Sequence, residues 1–367
     1  MHIAFVDRGN LDYVAETPYR EPLGGSQSAL CYLAVELAGL GHAVSIINGT
    51  TAPGEHAGVN FVNLRIGLGS DFLARADVIV ELNAPVRLAL PYEFPVQAPL
   101  VLWMTHATDQ PIARQLSSSE ERDQWAGFAF ISDWQRERYI EEFSIPRAKS
   151  RVLRIAIAPP FAKLAEVEPW FVRQAPPILF YTSTPDRGLN VLLFSFPYIR
   201  SAIPGTRLRV FSSRKTYQVP PEKDKSQGLY EACRRMKGVE YIGSIGQDRL
   251  ADELVGAAAL SYPSTYAETA CIAALEAMAV GAAVLTTRHG ALPETTAGFA
   301  YMVDHHPDRA QLGRKFADMA IATLLGMLRN PAEAAARRNA QIGYVKENYG
   351  WPARAREWES WLLELTR

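Results

Sequence analysis

The sequence reads as an α/β protein of two doubly wound domains. Three observations carry that reading. Short continuous apolar runs alternate with helical patterns throughout the chain, as expected for parallel strands covered on both faces. The runs are too many for one ordinary open sheet. Between the two sets lies a stretch, Pro159–Pro177, that contains Pro159, Pro160, Pro169, Pro176 and Pro177 and has no periodicity, so the break between domains is expected there.

In the first half, strands are expected at His2–Val6, Ala43–Asn48, Val78–Glu81, Leu100–Met104, Phe128–Ile131 and Val152–Ile155. Helices are expected at Ser26–Gly39, Gln110–Gln124 and Ser132–Phe143. In the second half, strands are expected at Ile178–Thr182, Leu208–Phe211, Val239–Ile242, Ala258–Tyr262 and Ala283–Thr286. The matching helices are Leu189–Ala202, Leu229–Met236, Arg249–Val255 and Thr269–Val280. From Arg309 onward the chain reads as helical, with breaks at Asn330–Pro331 and at Tyr349–Pro352. The last helix puts Trp358, Trp361, Leu362 and Leu365 on one face, which must dock somewhere. The domains then run over residues 1–160, 161–349 and a terminal helix at 350–367.

The formal net charge is −1, so no whole-chain field draws the protein to nucleic acid. Residues 1–160 carry a net −5 and the remainder +4, which gives no support to a basic, membrane-docking first half. Cys31, Cys233 and Cys271 are far apart and show no metal or redox spacing, which suits a reduced cytoplasmic setting. The opening MHIAFVDRG reads as a buried strand, not a signal peptide, and no run of apolar residues is long enough to span a membrane.

The most informative segment runs from Tyr262 through Glu268 and Glu276 to Gly281, from a strand end onto a helix. Eight residues separate the carboxylates, about 12 Å along a helix. A ligand of sugar, diphosphate and ribose has that length. Glu276 could accept from ribose hydroxyls and Glu268 from sugar hydroxyls, while backbone N–H groups of Thr269, Ala270, Cys271 and Ile272 point at phosphate. The alternative is a helix-entry charge and a solvated glutamate. The apolar surroundings of Glu276 (Ile272, Ala273, Leu275, Ala277, Met278) weigh against solvation. A second segment, Thr182–Leu189, sets Arg187 and Gly188 at a strand-to-helix turn suited to an anion. A third, Gly24-Gly25-Ser26, precedes a helix and lets a ligand approach the backbone. A fourth places His106 at the end of a buried strand, with Asp109 as a candidate helix cap. Ser132 reads as a helix N-cap and His42 as a structural turn residue.

These residues resemble glycosyltransferase family 4, the retaining nucleotide-sugar enzymes with the GT-B fold. The family pattern of Glu, seven residues, Glu, then Ala-Met-Ala-x-Gly is matched by Glu268 and Glu276-Ala-Met-Ala-Val-Gly281, and Gly290-Ala-Leu-Pro-Glu294 continues it. Where the family has Gly-Phe-Gly after its first Glu, this chain has Thr269-Ala270-Cys271, which makes Cys271 a small residue beside the phosphates. Arg187 falls on the family's diphosphate Lys. The preceding Arg position holds Thr182 or Ser183, a departure that Arg214 or Lys215 could compensate. The resemblance implies two Rossmann-like domains facing a cleft, with the C-terminal helix returning to the N-terminal, acceptor-side domain. It gives His106 and Glu268 catalytic positions and assigns Gly25, Ser183, Arg187, Thr269, Ala270, Cys271, Ile272 and Glu276 to donor binding, Gly25 from the glycine loop of the first domain.

The implied partners are a nucleotide-diphosphate sugar and a saccharide, lipid or other hydroxyl acceptor. No Asp-x-Asp motif is present, so a metal-independent transfer with retention is expected and no cofactor beyond the donor substrate. The alternatives are another GT-B enzyme, such as an epimerase or inverting transferase, or a nucleotide-sugar-binding protein without catalysis. A dinucleotide oxidoreductase is disfavoured, because Asp7-Arg8-Gly9-Asn10-Leu11 lacks the glycine run such an enzyme needs.

Overall fold

A computed structural model of the protein describes residues 1–68, 71–90, 92, 96–165 and 167–367. The chain forms two compact units. One comprises Met1–Pro18, Gly25–Ala156 and Trp351–Arg367; the other comprises Tyr19–Gly24 and Ile157–Gly350.

The first unit is built on eight strands: β1 (His2–Val6), β2 (Ala43–Asn48), β3 (Gly54–His56), β4 (Val59–Asn63), β5 (Val78–Leu82), β6 (Leu100–Met104), β7 (Gly127–Phe130) and β8 (Ser150–Val152). Their order is β3-β4-β2-β1-β5-β6-β7-β8. All neighbours are parallel except the β3–β4 hairpin. The central strands are buried on both faces, which is why they read as continuous apolar runs. Helices α1 (Gly25–Gly39) and α2 (Asp133–Phe143) belong to this unit. Ser132 caps α2 by accepting from the Gln135 N–H at 3.0 Å, as its residue type suggested.

The sequence reading missed the edge strand β3 and its neighbour β4, short segments with too few apolar residues for a pattern, and it set β8 two residues late. The expected helix Gln110–Gln124 is instead a 3₁₀ segment, Pro111–Ser117, followed by a short helix, Ser119–Asp123. Gln110 precedes that segment without a side-chain cap, and Asp109 accepts from the Gln110 side chain rather than capping a helix.

The C-terminal helix, Trp351–Leu365, packs within the first unit against α1. Trp358 is 1% exposed, with ring centroids 4.9 Å from Trp103 and 6.4 Å from Phe5. Gly127 lies under Trp361, where a Cβ would come within 2.6 Å of the indole. His42, at the turn before β2, bonds Glu359 of this helix at 2.8 Å, in keeping with a structural role.

The second unit has six parallel strands: β9 (Ile178–Tyr181), β10 (Arg207–Val210), β11 (Val239–Tyr241), β12 (Ala259–Tyr262), β13 (Ala283–Arg288) and β14 (Tyr301–Asp304), in the order β11-β10-β9-β12-β13-β14. The strand order reverses direction between β9 and β12. Helices α3 (Leu189–Ala202), α4 (Gln227–Arg235), α5 (Gln247–Leu254) and α6 (Ile272–Ala279) connect the strands. They are followed by α7 (Arg309–Arg329) and α8 (Pro331–Asn348). Edge strand β14, only partly buried, was not read from sequence. Among the described residues, no helix is long and apolar enough to cross a membrane.

Replacing Trp358 by alanine empties the largest aromatic contact of the terminal helix. We expect a loss of roughly 3–5 kcal/mol of stability, read as a lower midpoint in denaturant unfolding of the full chain.

Candidate functional site

Ligands of doubly wound sheets bind outside the carboxyl ends of the strands, where the strand order reverses. In the second unit that point lies between β9 and β12. The loop after β9 carries Ser183 and Arg187, and the loop after β12 carries Tyr262 to Cys271.

Backbone contacts hold the two loops together. Thr265 N–H donates to the Arg187 carbonyl at 3.3 Å. Gly188, at φ 122°, lies so close to the second loop that a Cβ would meet the Pro263 carbonyl oxygen at 2.2 Å. On the other side, Ala291 N–H donates to the Glu268 carbonyl at 2.6 Å, and a Cβ on Gly290 would sit 2.4 Å from the Glu268 backbone. Both glycines are therefore required by close approach.

The side chain of Glu268 is 4% exposed. Arg187 Nη1 donates to both its oxygens, at 3.0 and 3.1 Å, and the Tyr262 hydroxyl donates to Oε1. Arg187 lies over the Tyr266 ring, 4.5 Å from its centroid. Burial opposes charge on the guanidinium, but Glu268 and the nearby tyrosines outweigh it and hold Arg187 firmly protonated. Ser183 Oγ donates to the Tyr262 hydroxyl at 3.3 Å. Arg214 pairs with Asp186 at 3.1 Å, one residue before Arg187, while Lys215 is exposed.

Helix α6 begins at Ile272, three residues later than the sequence suggested. Cys271 is its N-cap in an extended conformation, and the Glu268 backbone is tied to Gly290–Ala291, so the helix cannot start earlier. Thr269, Ala270 and Cys271 are loop residues. Of the four amides expected to open the helix, only that of Ile272 belongs to it. The Cys271 thiol is buried, and burial together with Glu268 pushes its pKa far up, so it is no nucleophile.

Glu276 is 3% exposed, yet its carboxyl group has little company. The Ala158 backbone N–H donates to it, and Oε1 has no hydrogen-bond partner among the described residues. Burial pushes its pKa up to about 8. Ala158 was not read from sequence, because nothing local links residue 158 to residue 276.

In the first unit, the Ser26 and Thr105 hydroxyls lie 2.6 Å apart, which brings the N-terminus of α1 at Gly25 next to the strand end that carries His106. Asn83 Oδ1 accepts from Thr105 N–H at 2.6 Å and His106 N–H at 3.3 Å. Gln135 and Tyr139 donate to the His106 carbonyl at 2.8 and 3.1 Å. Asn83 and Gln135 escaped the sequence reading. The one signal for Asn83 was an asparagine at a strand end, where its left-handed φ of 55° is tolerated.

Residues 175–319 match the family described as Glycosyl transferases group 1. The matched segment spans β9 to β14 and carries both loops of the site. Among curated proteins, none matches the chain in sequence. Solved structures match it along its length. A glycosyltransferase from Rickettsia africae is similar with TM-score 0.69 and 13% identity, over 100% of this chain and 99% of that one. Sucrose-phosphate synthase from Thermosynechococcus elongatus is similar with TM-score 0.70 and 17% identity, over 99% and 98%. Anabaena HepE, solved in complex with UDP-glucose, is similar with TM-score 0.69 and 13% identity, over 99% and 100%. At these identities the likeness is one of fold, namely GT-B, with a Rossmann-like sheet in each unit.

Burial keeps Glu276 neutral well above the ordinary glutamate range. The folded state holds a proton on Glu276 up to about pH 8, whereas an unfolded glutamate releases it near pH 4.3. Between those values the native state binds more protons, so stability falls as pH rises. Glu276→Gln removes this dependence. We expect the variant's stability advantage over the wild type to grow from pH 5 to pH 8 and then level off, approaching about 5 kcal/mol at about 1.4 kcal/mol per pKa unit. Unfolding curves across that pH range check it.

Proposed function

We propose that the protein transfers a sugar from a nucleotide-diphosphate donor to a hydroxyl of a saccharide, lipid or other acceptor, with retention at the anomeric carbon and without a divalent metal. One observation carries the reading. Eight residues from the compensated carboxylate of Glu268, the buried Glu276 keeps an oxygen with no partner among the described residues. A buried carboxyl group of that kind is costly unless a ligand supplies donors, and two ribose hydroxyls do so.

The donor is laid along α6. Glu276 takes the ribose. The diphosphate meets the N-terminal amides of α6 and the loop at Thr269–Cys271, with Arg187 beside them and Ser183 at the end of β9. Arg214 and Lys215 are secondary cations, because Arg214 is already engaged by Asp186. Glu268 takes a sugar hydroxyl. Charge on the departing diphosphate is stabilised by Arg187 and the amides, and positive charge develops on the sugar ring in an oxocarbenium-like transition state. Glu268 is clamped from two sides, which argues against its acting as a nucleophile and for attack by the acceptor on the leaving-group face. For the first unit the reading keeps Gly25 as a donor-binding residue and His106 as a catalytic one. The UDP-glucose bound by Anabaena HepE makes uridine nucleotides the first donors to test. Three buried cysteines, none in a disulfide, suit a cytoplasmic enzyme.

A thermal-shift panel of nucleoside diphosphates and nucleotide sugars tests the site. At least one is expected to stabilise the wild type, by about 2.7 kcal/mol at a hundred times its Kd. Glu276→Ala is expected to abolish the shift. A wild type unmoved by every nucleotide, or a Glu276→Ala variant that responds in full, defeats the reading. Ribose hydroxyls favour the ionised carboxylate, so binding releases a proton below about pH 8. Affinity should rise with pH up to that point and then flatten, as titration calorimetry in buffers of differing ionisation enthalpy would show.

A further inference from the structure

Glu268 is held by two groups that differ in kind. Arg187 approaches both carboxylate oxygens through a single nitrogen, and its side chain remains 28% exposed. Its other N–H groups are available to a phosphate. Tyr262 carries no charge to share. Its ring is fully buried at the end of β12, edge-on to Tyr181 with centroids 5.7 Å apart, and its hydroxyl reaches only Oε1. The hydroxyl in turn accepts from Ser183 Oγ. Oε1 thus has two donors and Oε2 has one. A carboxylate oxygen accepts two hydrogen bonds, so the open position is on Oε2.

We propose that Tyr262 is the positioning residue of the donor site: it locks Oε1 so that Oε2 faces a hydroxyl of the donor sugar, and it keeps the carboxylate in place when the diphosphate draws on Arg187. The inference rests on the nucleotide-sugar reading above and adds to it the group that orients Glu268. Without Tyr262, the only remaining side-chain hold on Glu268 would be the residue that the diphosphate also needs. Burial and the neighbouring carboxylate raise the phenol well above its ordinary pKa, so the hydroxyl remains a donor throughout the neutral range.

Tyr262→Phe removes the hydroxyl and keeps the ring. Affinities for UDP and UDP-glucose, or for the diphosphate and sugar nucleotide that best stabilise the wild type, are measured by calorimetry on the variant and on Glu268→Gln with and without it. We expect diphosphate affinity within about twofold of the wild type and sugar-nucleotide affinity weakened about tenfold, the scale of one lost hydrogen bond to a charged group. In the Glu268→Gln background, Tyr262→Phe should add no further loss. Equal weakening of both ligands would mark a merely structural role and overturn the proposal, as would full retention of sugar-nucleotide affinity. If Tyr262→Phe does not fold, Ser183→Ala, which removes any Ser183 contact to the diphosphate from both ligands alike, is expected to weaken the sugar nucleotide more than the diphosphate, and equal weakening or none would overturn the proposal. A wild type that binds neither ligand overturns the donor-site reading itself, and the inference falls with it.

Discussion

A carboxylate taken out of water must be compensated, and the second unit is arranged around one such group. Glu268 is nearly inaccessible. An unpaired buried charge would cost several kcal/mol or would be neutralised by a proton. Compensation comes from the loop after β9, through Arg187, and from the end of β12, through Tyr262. These elements are neighbours only because the strand order reverses between β9 and β12. The close approach of Gly188 to Pro263, and of Gly290 to the Glu268 backbone, follows from the same requirement. A side chain at either position would push the loops apart and separate the charges.

Glu276 shows what happens when compensation is incomplete. It sits on the same segment and is equally buried, but has only a backbone donor from Ala158, so burial raises its pKa. Two glutamates eight residues apart therefore differ in how far the protein compensates them, for a reason visible in their surroundings. One is completed by the protein. The other is left short of donors, a state a fold tolerates at a site meant for a ligand.

Much of this was legible in the sequence, because the strongest signals are local. Buried parallel strands are apolar throughout, so β1, β2, β6 and β12 stand out at or within a residue of their true limits. The edge strands β3 and β14, and β4 beside β3, have one face or both partly open, and their residues carry no such run. The segment from Glu268 to Gly281 could be recognised by spacing alone. The start of α6 could not, because Cys271 is held extended by a loop tied to residues 290 and 291, more than eighteen positions away. Tyr262 lay in plain view six residues before Glu268. Periodicity reports that a strand residue is buried, but not where a phenol at the strand end directs its hydroxyl.

The character of residue 187 follows from what is missing at 182 and 183. In the family that the segment resembles, two cations serve the diphosphate, and here the first position holds Thr182 or Ser183, with the Ser183 hydroxyl directed to Tyr262. On the proposed donor reading, Arg187 then both balances Glu268 and meets phosphate, with Arg214 and Lys215 only secondary. A lysine presents its charge at one nitrogen, so pairing with Glu268 would consume most of its reach. A guanidinium spreads five N–H groups over a planar fork and can turn one nitrogen to a carboxylate and the rest to a phosphate. The geometry around Arg187 has that form, with Nη1 alone on Glu268, the plane resting on Tyr266 and part of the side chain open. Under that constraint, arginine at 187 and tyrosine at 262 are one solution: the first bridges two anions, and the second ensures that the carboxylate does not depend on the first alone.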